Sequence, residues 1–307
     1  MKELRLATLA GILSLVAPAY AQPSCGVDAR FSLPDGAAQR PVRRLGEALV
    51  FTSQLRVNAD GAANTYHPLG RRLGGALDSL CNGLAVTPHS GPFANQRIFV
   101  SSDMPQDIQD RNCQMILDAF RSSRAAGYAI QPDATLHWFG IATEPTSTNY
   151  HPCIQSTGRY AGFFVSQTAR PADPNAPVCS PAHWYSSTEI PYVTIPGNRL
   201  DAQGVQVGDL ALVYRRHNGV EYLVAAVVGD SGNPGELGEG SIALHAALGN
   251  SASHGIPNGI SGGVTTFLFP GHQATMPISA TSIADRKAEL IGLLGAGGEA
   301  AIPTCGQ

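Results

Sequence analysis

Two carboxylates nine positions apart, Asp230 and Glu239, carry most of the chemistry this sequence offers. They bracket a glycine-punctuated stretch, Gly229-Asp-Ser-Gly-Asn-Pro-Gly-Glu-Leu-Gly-Glu-Gly-Ser, that follows an apolar run ending at Val228. A strand that ends in one acid, a loop that turns at several glycines and a second acid opening a helix-like segment can bring two carboxyl groups face to face. Facing carboxyls are the minimal equipment for cleaving a glycosidic bond. One, protonated, donates to the leaving oxygen. The other, ionised, activates water on the opposite face of the ring, with roughly 6.5–9.5 Å between them when the reaction inverts the anomeric centre. Glu236 is a third acid in the loop, suited to a charge-assisted hydrogen bond with a sugar ammonium or simply to water.

Other chemistries fit less well. Gly229-Asp-Ser-Gly resembles the nucleophile turn of trypsin-like proteases, which would make Ser231 the nucleophile and His183 its base. Only 48 positions separate these two residues, too few to complete two β-barrels around them. Asn58-Ala-Asp60-Gly61 opens like a calcium loop, but no carboxylate matches the last ligand position, so a turn held by Asn and Asp side chains is the competing expectation. The nine histidines are scattered without metal-ligand spacing, and neither a metal nor a cofactor is expected. Trp138, Trp184, Tyr185 and Tyr192 are candidate stacking platforms for sugar rings, and of these Tyr185 is the one expected to be exposed.

The elements that must hold these groups are mostly strands. Runs rich in β-branched and aromatic residues occupy 135–141, 160–166, 192–195, 210–214, 222–228 and 264–269. Residues 210–228 form the clearest hairpin, because Asn218-Gly219 supplies the positive φ angles of a tight turn. Its second arm leads straight into Asp230, a rigid place for a catalytic group. Helices are expected over 73–80, 106–125, 241–248 and 283–294. Residues 61–158 read as an elaboration ahead of the strand-rich part.

Composition and termini bound the setting. Lys2 and Arg5, an apolar stretch over 9–16 and Ala19-Tyr20-Ala21 predict a signal peptide over residues 1–21, cut after Ala21. Residues 22–307 then form a single secreted domain, extracellular or periplasmic, with no membrane span. All six cysteines, Cys25, Cys81, Cys113, Cys153, Cys179 and Cys305, lie beyond the cut, so three disulfides are expected, with Cys25–Cys305 one candidate pair across the two ends. The formal charge of -3 and the 14% charged residues give no basic footprint for nucleic acid. With 34 Gly and 22 Pro, the chain reads as a loop-rich β protein.

A family resemblance adds to this reading. Residues 58–67, 162–166, 187–196, 207–213 and 227–244 contain, in order, Asn-Ala-Asp-Gly-Ala-Ala-Asn-Thr-Tyr-His, Gly-Phe-Phe-Val-Ser, Ser-Thr-Glu-Ile-Pro-Tyr-Val-Thr-Ile-Pro, Val-Gly-Asp-Leu-Ala-Leu-Val and the acid-bearing stretch beginning Val-Val-Gly-Asp-Ser-Gly. Together they resemble the glycoside hydrolase family 75 chitosanases, most densely over 50–67 and 187–249. The resemblance implies a secreted, inverting endo-hydrolase of the β-1,4 bonds of chitosan, with Asp230 and Glu239 as its catalytic acids. It also implies that Asp60, Tyr66 and His67 line the cleft, and Tyr185 and Glu236 join them as candidate sugar contacts. The strand-Gly-Asp-x-Gly turn is also similar to the acid turn of double-psi barrel lytic transglycosylases. That similarity favours Asp230 as donor and Glu239 as base. The expected fold is therefore mainly β, a six-stranded double-psi-like β-barrel core with peripheral α-helices, acting as a monomer on a polysaccharide. Arg56 and Asn58 depart from the acids that many fungal members place there, which leaves the preferred amino sugar open. A peptidoglycan lytic transglycosylase, which needs one acid, and a non-catalytic carbohydrate-binding module are the competing expectations.

Overall fold

The computed structural model describes residues 24–306, apart from 71–74, 102–103, 145–150, 198–199 and 253–255. The expected signal peptide, residues 1–21, lies outside the described residues. The described residues form ten strands: β1 Val27–Asp35, β2 Ala38–Leu45, β3 Ala48–Asn58, β4 Leu84–Pro88, β5 Ala134–Trp138, β6 Tyr192–Pro196, β7 Asp209–His217, β8 Val220–Gly232, β9 Glu239–Ser241 and β10 Ile260–Gln273. The main sheet runs β1-β2-β3-β10-β7-β8-β6-β9, and β9 pairs back onto β3, so six strands close into a barrel. Two of its contacts, β3 with β9 and β6 with β8, are parallel, and the others are antiparallel. Closure leaves the barrel strands no free edge.

Alternation along the strands sorts the core onto two faces. Leu210, Leu212, Tyr214, Val227, Phe267 and Phe269 meet Ile283, Leu290, Leu294 and Ile302 from the C-terminal helices α3 Ala280–Ala284, α4 Lys287–Leu293 and α5 Gly298–Cys305. This is the outer face. Leu49, Phe51, Val193, Ile195, Ala211, Val213, Ala226, Val228, Val264 and Leu268 point the other way and fill the interior, where Leu244 and Leu248 of the segment around α2 Ile242–Ala247 join them. Full burial of each aliphatic side chain stabilises the fold by about 1.5–3 kcal/mol. Asn218 (φ 50°) and Gly219 (φ 78°) make the tight turn expected between β7 and β8.

The elaboration is a second, smaller lobe. Helix α1 spans Gln106–Ala125, as its apolar spacing predicts, and buries Ile116, Leu117 and Phe120 against Leu84, Val86, Ile98, Ile141 and Phe164. Three disulfides staple the chain: Cys25–Cys305 joins its two ends, Cys81–Cys113 fixes α1 to the lobe, and Cys153–Cys179 ties the loops beside it.

Several expected elements differ. Residues 160–166 are not a strand. They make isolated bridges, Phe164 to Ile154 and Ser166 to Ile141, because their neighbours are loops without a continuous ladder. Of the helix expected over 73–80, residues 73–74 lie outside the described residues and 75–79 are turns leading into a single 3-10 turn, Leu80–Asn82. The helix expected over 283–294 is part of a helical pair that changes direction between Ala284 and Lys287. The strands β1 to β3, whose register mixes arginines with apolar residues, and the short α5 have no counterpart in the sequence expectations.

Candidate active site

Asp230 lies near the end of β8, and Glu239 opens β9. Strand β6 runs between them. Its Thr194 pairs with Asp230 on one side, and on the other the Val193–Gly240 pairing puts Thr194 beside Glu239. The register slips between Val193 and Thr194, so Gly229 is an extra residue bulged out of β8, which re-aims Asp230 onto the outer face with Thr194. Gly229 is required there for space: a Cβ would sit 2.6 Å from the Tyr192 ring. Gly238 makes the second adjustment. Its φ of 74° and its approach to the Gln54 carbonyl leave no room for a side chain, and it sets the chain on course for Glu239.

Asp230 is 7% exposed. Its Oδ1 accepts from the backbone N–H groups of Ala169 and Ser231, both at 2.8 Å, and its Oδ2 takes a long 3.5 Å hydrogen bond from Asn58 Nδ2. Burial raises its pKa to about 6 against the pull of those three donors. Glu239 Oε2 accepts from the Thr194 hydroxyl at 3.1 Å. Burial, and secondarily the negative charge of Asp230, raises the pKa of Glu239 to about 7, with Arg56 and Thr194 acting the other way. Arg56, opposite Glu239 on β3, also reaches Glu236 at 3.5 Å and the Leu237 carbonyl at 3.1 Å.

A third carboxylate completes the group. Asp60 Oδ1 accepts from Tyr66 OH at 2.7 Å and stands 3.1 Å from the Ser166 hydroxyl. Burial first, then the charge of Asp230, pushes it well above the usual carboxylate range. Asn58 links the acids. Its Oδ1 accepts from Tyr192 OH and from Asp60 N–H, both at 2.7 Å, which turns its Nδ2 toward Asp230. The Asn58–Asp60 contact is a side-chain-held turn, one of the three readings of this segment, alongside the calcium loop and the cleft lining.

These groups line one open cleft of about 860 Å³ between the barrel and the smaller lobe. Asp60, Tyr66, Asp230, Glu236 and Glu239 all contribute to its walls, as do Arg56 and Asn58. Two expected sugar contacts do not. His67 packs edge-on against Phe163 with centroids 4.7 Å apart, and its Nδ1 accepts from Leu69 N–H, so it belongs to the fabric of the lobe. Tyr185 is fully buried rather than exposed. It packs edge-on against Tyr192 and burial raises its phenol to about 12, because the segment before β6 runs beneath the cleft rather than along it. Trp184, too, is turned inward, donating to the Val178 carbonyl, and Tyr192 is fully buried beneath Asn58. Ser231 lines the cleft without a histidine among its described walls, and His183 is buried elsewhere with Nδ1 against the Ala176 carbonyl.

The smaller lobe supplies aromatic residues that sequence reasoning passed over, Phe99 and Phe139, 41% and 42% exposed on the cleft wall beside Arg97. The signal was faint. Arg97 and Phe99 flank Ile98, so that one buried residue between two exposed ones marks a strand-like edge.

No protein-family model matches the chain, and no curated protein matches it either.

Proposed function

We propose that this protein is a secreted, chitosanase-like glycoside hydrolase that cuts β-1,4 glucosaminide bonds by an inverting two-carboxylate mechanism. The observation that carries the reading is the row Asp230, Thr194, Glu239 across three adjacent strands on the floor of an open cleft. Two strand spacings put the backbones of the two acids about 10 Å apart, and both carboxyl groups open onto the same cleft. The cleft also gathers the carboxyl groups of Asp60, Asp78, Glu236 and the two central acids, hydrogen-bond partners for the hydroxyl and ammonium groups of an amino-sugar polymer.

The hydrogen bonds favour particular roles. Asp230 receives two backbone donors on Oδ1, an environment that supports the ionised form and leaves Oδ2 with a single long contact. It is the water activator. Glu239, its proton affinity raised by burial and by its anionic neighbour, is the donor. This reverses the assignment expected from the transglycosylase-like turn. In the reaction Glu239 protonates the glycosidic oxygen as the C1–O bond breaks. Water adds to C1 from the opposite face and gives its proton to Asp230, and exchange with solvent restores both acids.

Three disulfides and the sequence of residues 1–21 support export to an oxidising compartment. Incubating the purified protein with chitosan, chitin and peptidoglycan, with mass analysis of products, tests the activity. Hydrated chitosan oligomers that start as the α-anomer are the expected outcome. Anhydro products from peptidoglycan would replace this reading with a transglycosylase, and binding without turnover would leave only a carbohydrate-binding module.

A further inference from the structure

Phe99, Phe139 and Arg97 form a patch on the wall of the cleft supplied by the smaller lobe, and the acid pair does not use it. Their backbones are pinned. Asn112 of α1 donates to the Phe99 carbonyl at 2.8 Å, Gln167 donates to the Phe139 carbonyl at 3.0 Å, and Ile98 is paired on both sides with Val86. Two phenyl rings on rigid backbone remain about two-fifths exposed on a concave wall. The Arg97 guanidinium lies 6.0 Å from the centre of the Phe139 ring and makes no ion pair among the described residues.

The charge of the cleft is therefore divided. Asp60, Asp230, Glu236 and Glu239 lie on the barrel side, Asp78 is the one cleft carboxylate of the smaller lobe among the described residues, and the patch itself is apolar and cationic, with the amides of Gln109 and Gln167 also on the wall. An ammonium-bearing sugar stacked on these rings would face a guanidinium and be repelled. An N-acylated sugar brings a carbonyl oxygen that accepts from a guanidinium, an acyl methyl that covers phenyl surface and no charge to repel.

We infer that Arg97, Phe99 and Phe139 form a subsite for an N-acylated hexosamine unit of the polymer, beside an acidic bed for deacetylated units. The inference rests on the proposed hydrolase reading for its place in the reaction, but binding tests it independently.

Calorimetric titration of the full chain with fully deacetylated glucosamine hexamer, fully N-acetylated hexamer and an N-acetylmuramyl-containing glycan fragment is the experiment. Arg97→Gln and Phe139→Ala are expected to weaken binding of the N-acylated probes about tenfold and to leave the deacetylated hexamer unchanged. Tighter binding of the muramyl probe than of the N-acetylated hexamer would name a lactyl-bearing glycan as the source of the acyl sugar. Equal weakening of all three probes by Arg97→Gln, or no weakening of any, overturns the inference. A parallel digest of partially acetylated chitosan separates the two readings: no cleavage of any substrate removes the hydrolase proposal and leaves the binding result standing. Cleavage with products carrying acetyl groups at random positions removes the subsite.

Discussion

Asp230 and Glu239 stand two strands apart in one row of the barrel, with Thr194 between them paired to the first and hydrogen-bonded to the second. The loop that joins them is therefore not what sets their separation. The ladder sets it, and a ladder yields less than a loop, so the separation of the two acids is built into the sheet.

The pH dependence of activity follows from their different surroundings. Burial raises the pKa of Asp230 to about 6, and burial with the Asp230 charge raises that of Glu239 to about 7. The kcat/KM of chitosan cleavage is expected to fall below about pH 6 as the water activator takes up a proton and above about pH 7 as the donor loses one. Asp230→Asn and Glu239→Gln should each lower kcat by on the order of 10²–10⁴ with the fold unchanged by circular dichroism. Full activity in either variant would remove that residue from the reaction.

Arg56 offers a way to move one limb alone. Its positive charge pulls the Glu239 pKa down and is not among the groups that perturb Asp230. Arg56→Gln should carry the alkaline limb upward by roughly 0.5–1 pH unit and leave the acid limb in place. A pH–rate profile of this variant, with Arg56→Lys as the charge-keeping control, checks it. Parallel movement of both limbs would count against a local charge effect.

Stability should fall with rising pH over the range in which the acid limb of activity climbs. A carboxyl whose pKa is raised in the folded state contributes stability that is fully present below its unfolded value and is lost as pH rises through the folded one. For Glu239 that window runs from about 4.3 to about 7. Glu239→Gln removes the loss while its side-chain oxygen can still accept from Thr194. The variant is expected to melt about 5 °C above wild type at pH 8 and level with it at pH 4. Thermal scans at the two pH values decide the matter, and an equal shift at both would rule out the ionisation effect.

The Cys25–Cys305 bridge closes a sequence separation of 280 residues and joins the start of the chain to the end of α5. Replacing both cysteines with alanine should cost about 3–5 kcal/mol through the freedom returned to the unfolded chain. Urea unfolding of the double variant measures it, with unchanged chitosan cleavage at 25 °C as the companion expectation, since the bridge lies outside the cleft.

Parts of this molecule were legible from local patterns. The β7–β8 hairpin was announced by Asn218-Gly219, α1 by its apolar spacing after Pro105, and the acids by the glycines around them. Strands β1 and β2 were not, because charged residues at exposed positions of a half-buried strand dilute the alternating pattern. Tyr185 shows the same limit at a single residue. An aromatic residue beside polar neighbours reads as exposed, and its burial depends on Tyr192 and on Gly61, the latter distant in sequence, packing against it.

The sequence by itself determined the chemical kinds available, two acids on glycine-rich chain, six cysteines that pair, and strands enough for a barrel. Each of these is written in residue type and short-range spacing. Only the tertiary structure decided that β6 runs between the acids, that Asn58 and Arg56 tune them from β3, and that Phe99 and Phe139 face them from the other lobe. Those relations join residues up to about 180 positions apart, and barrel closure and packing between lobes bring them together, which no local preference encodes.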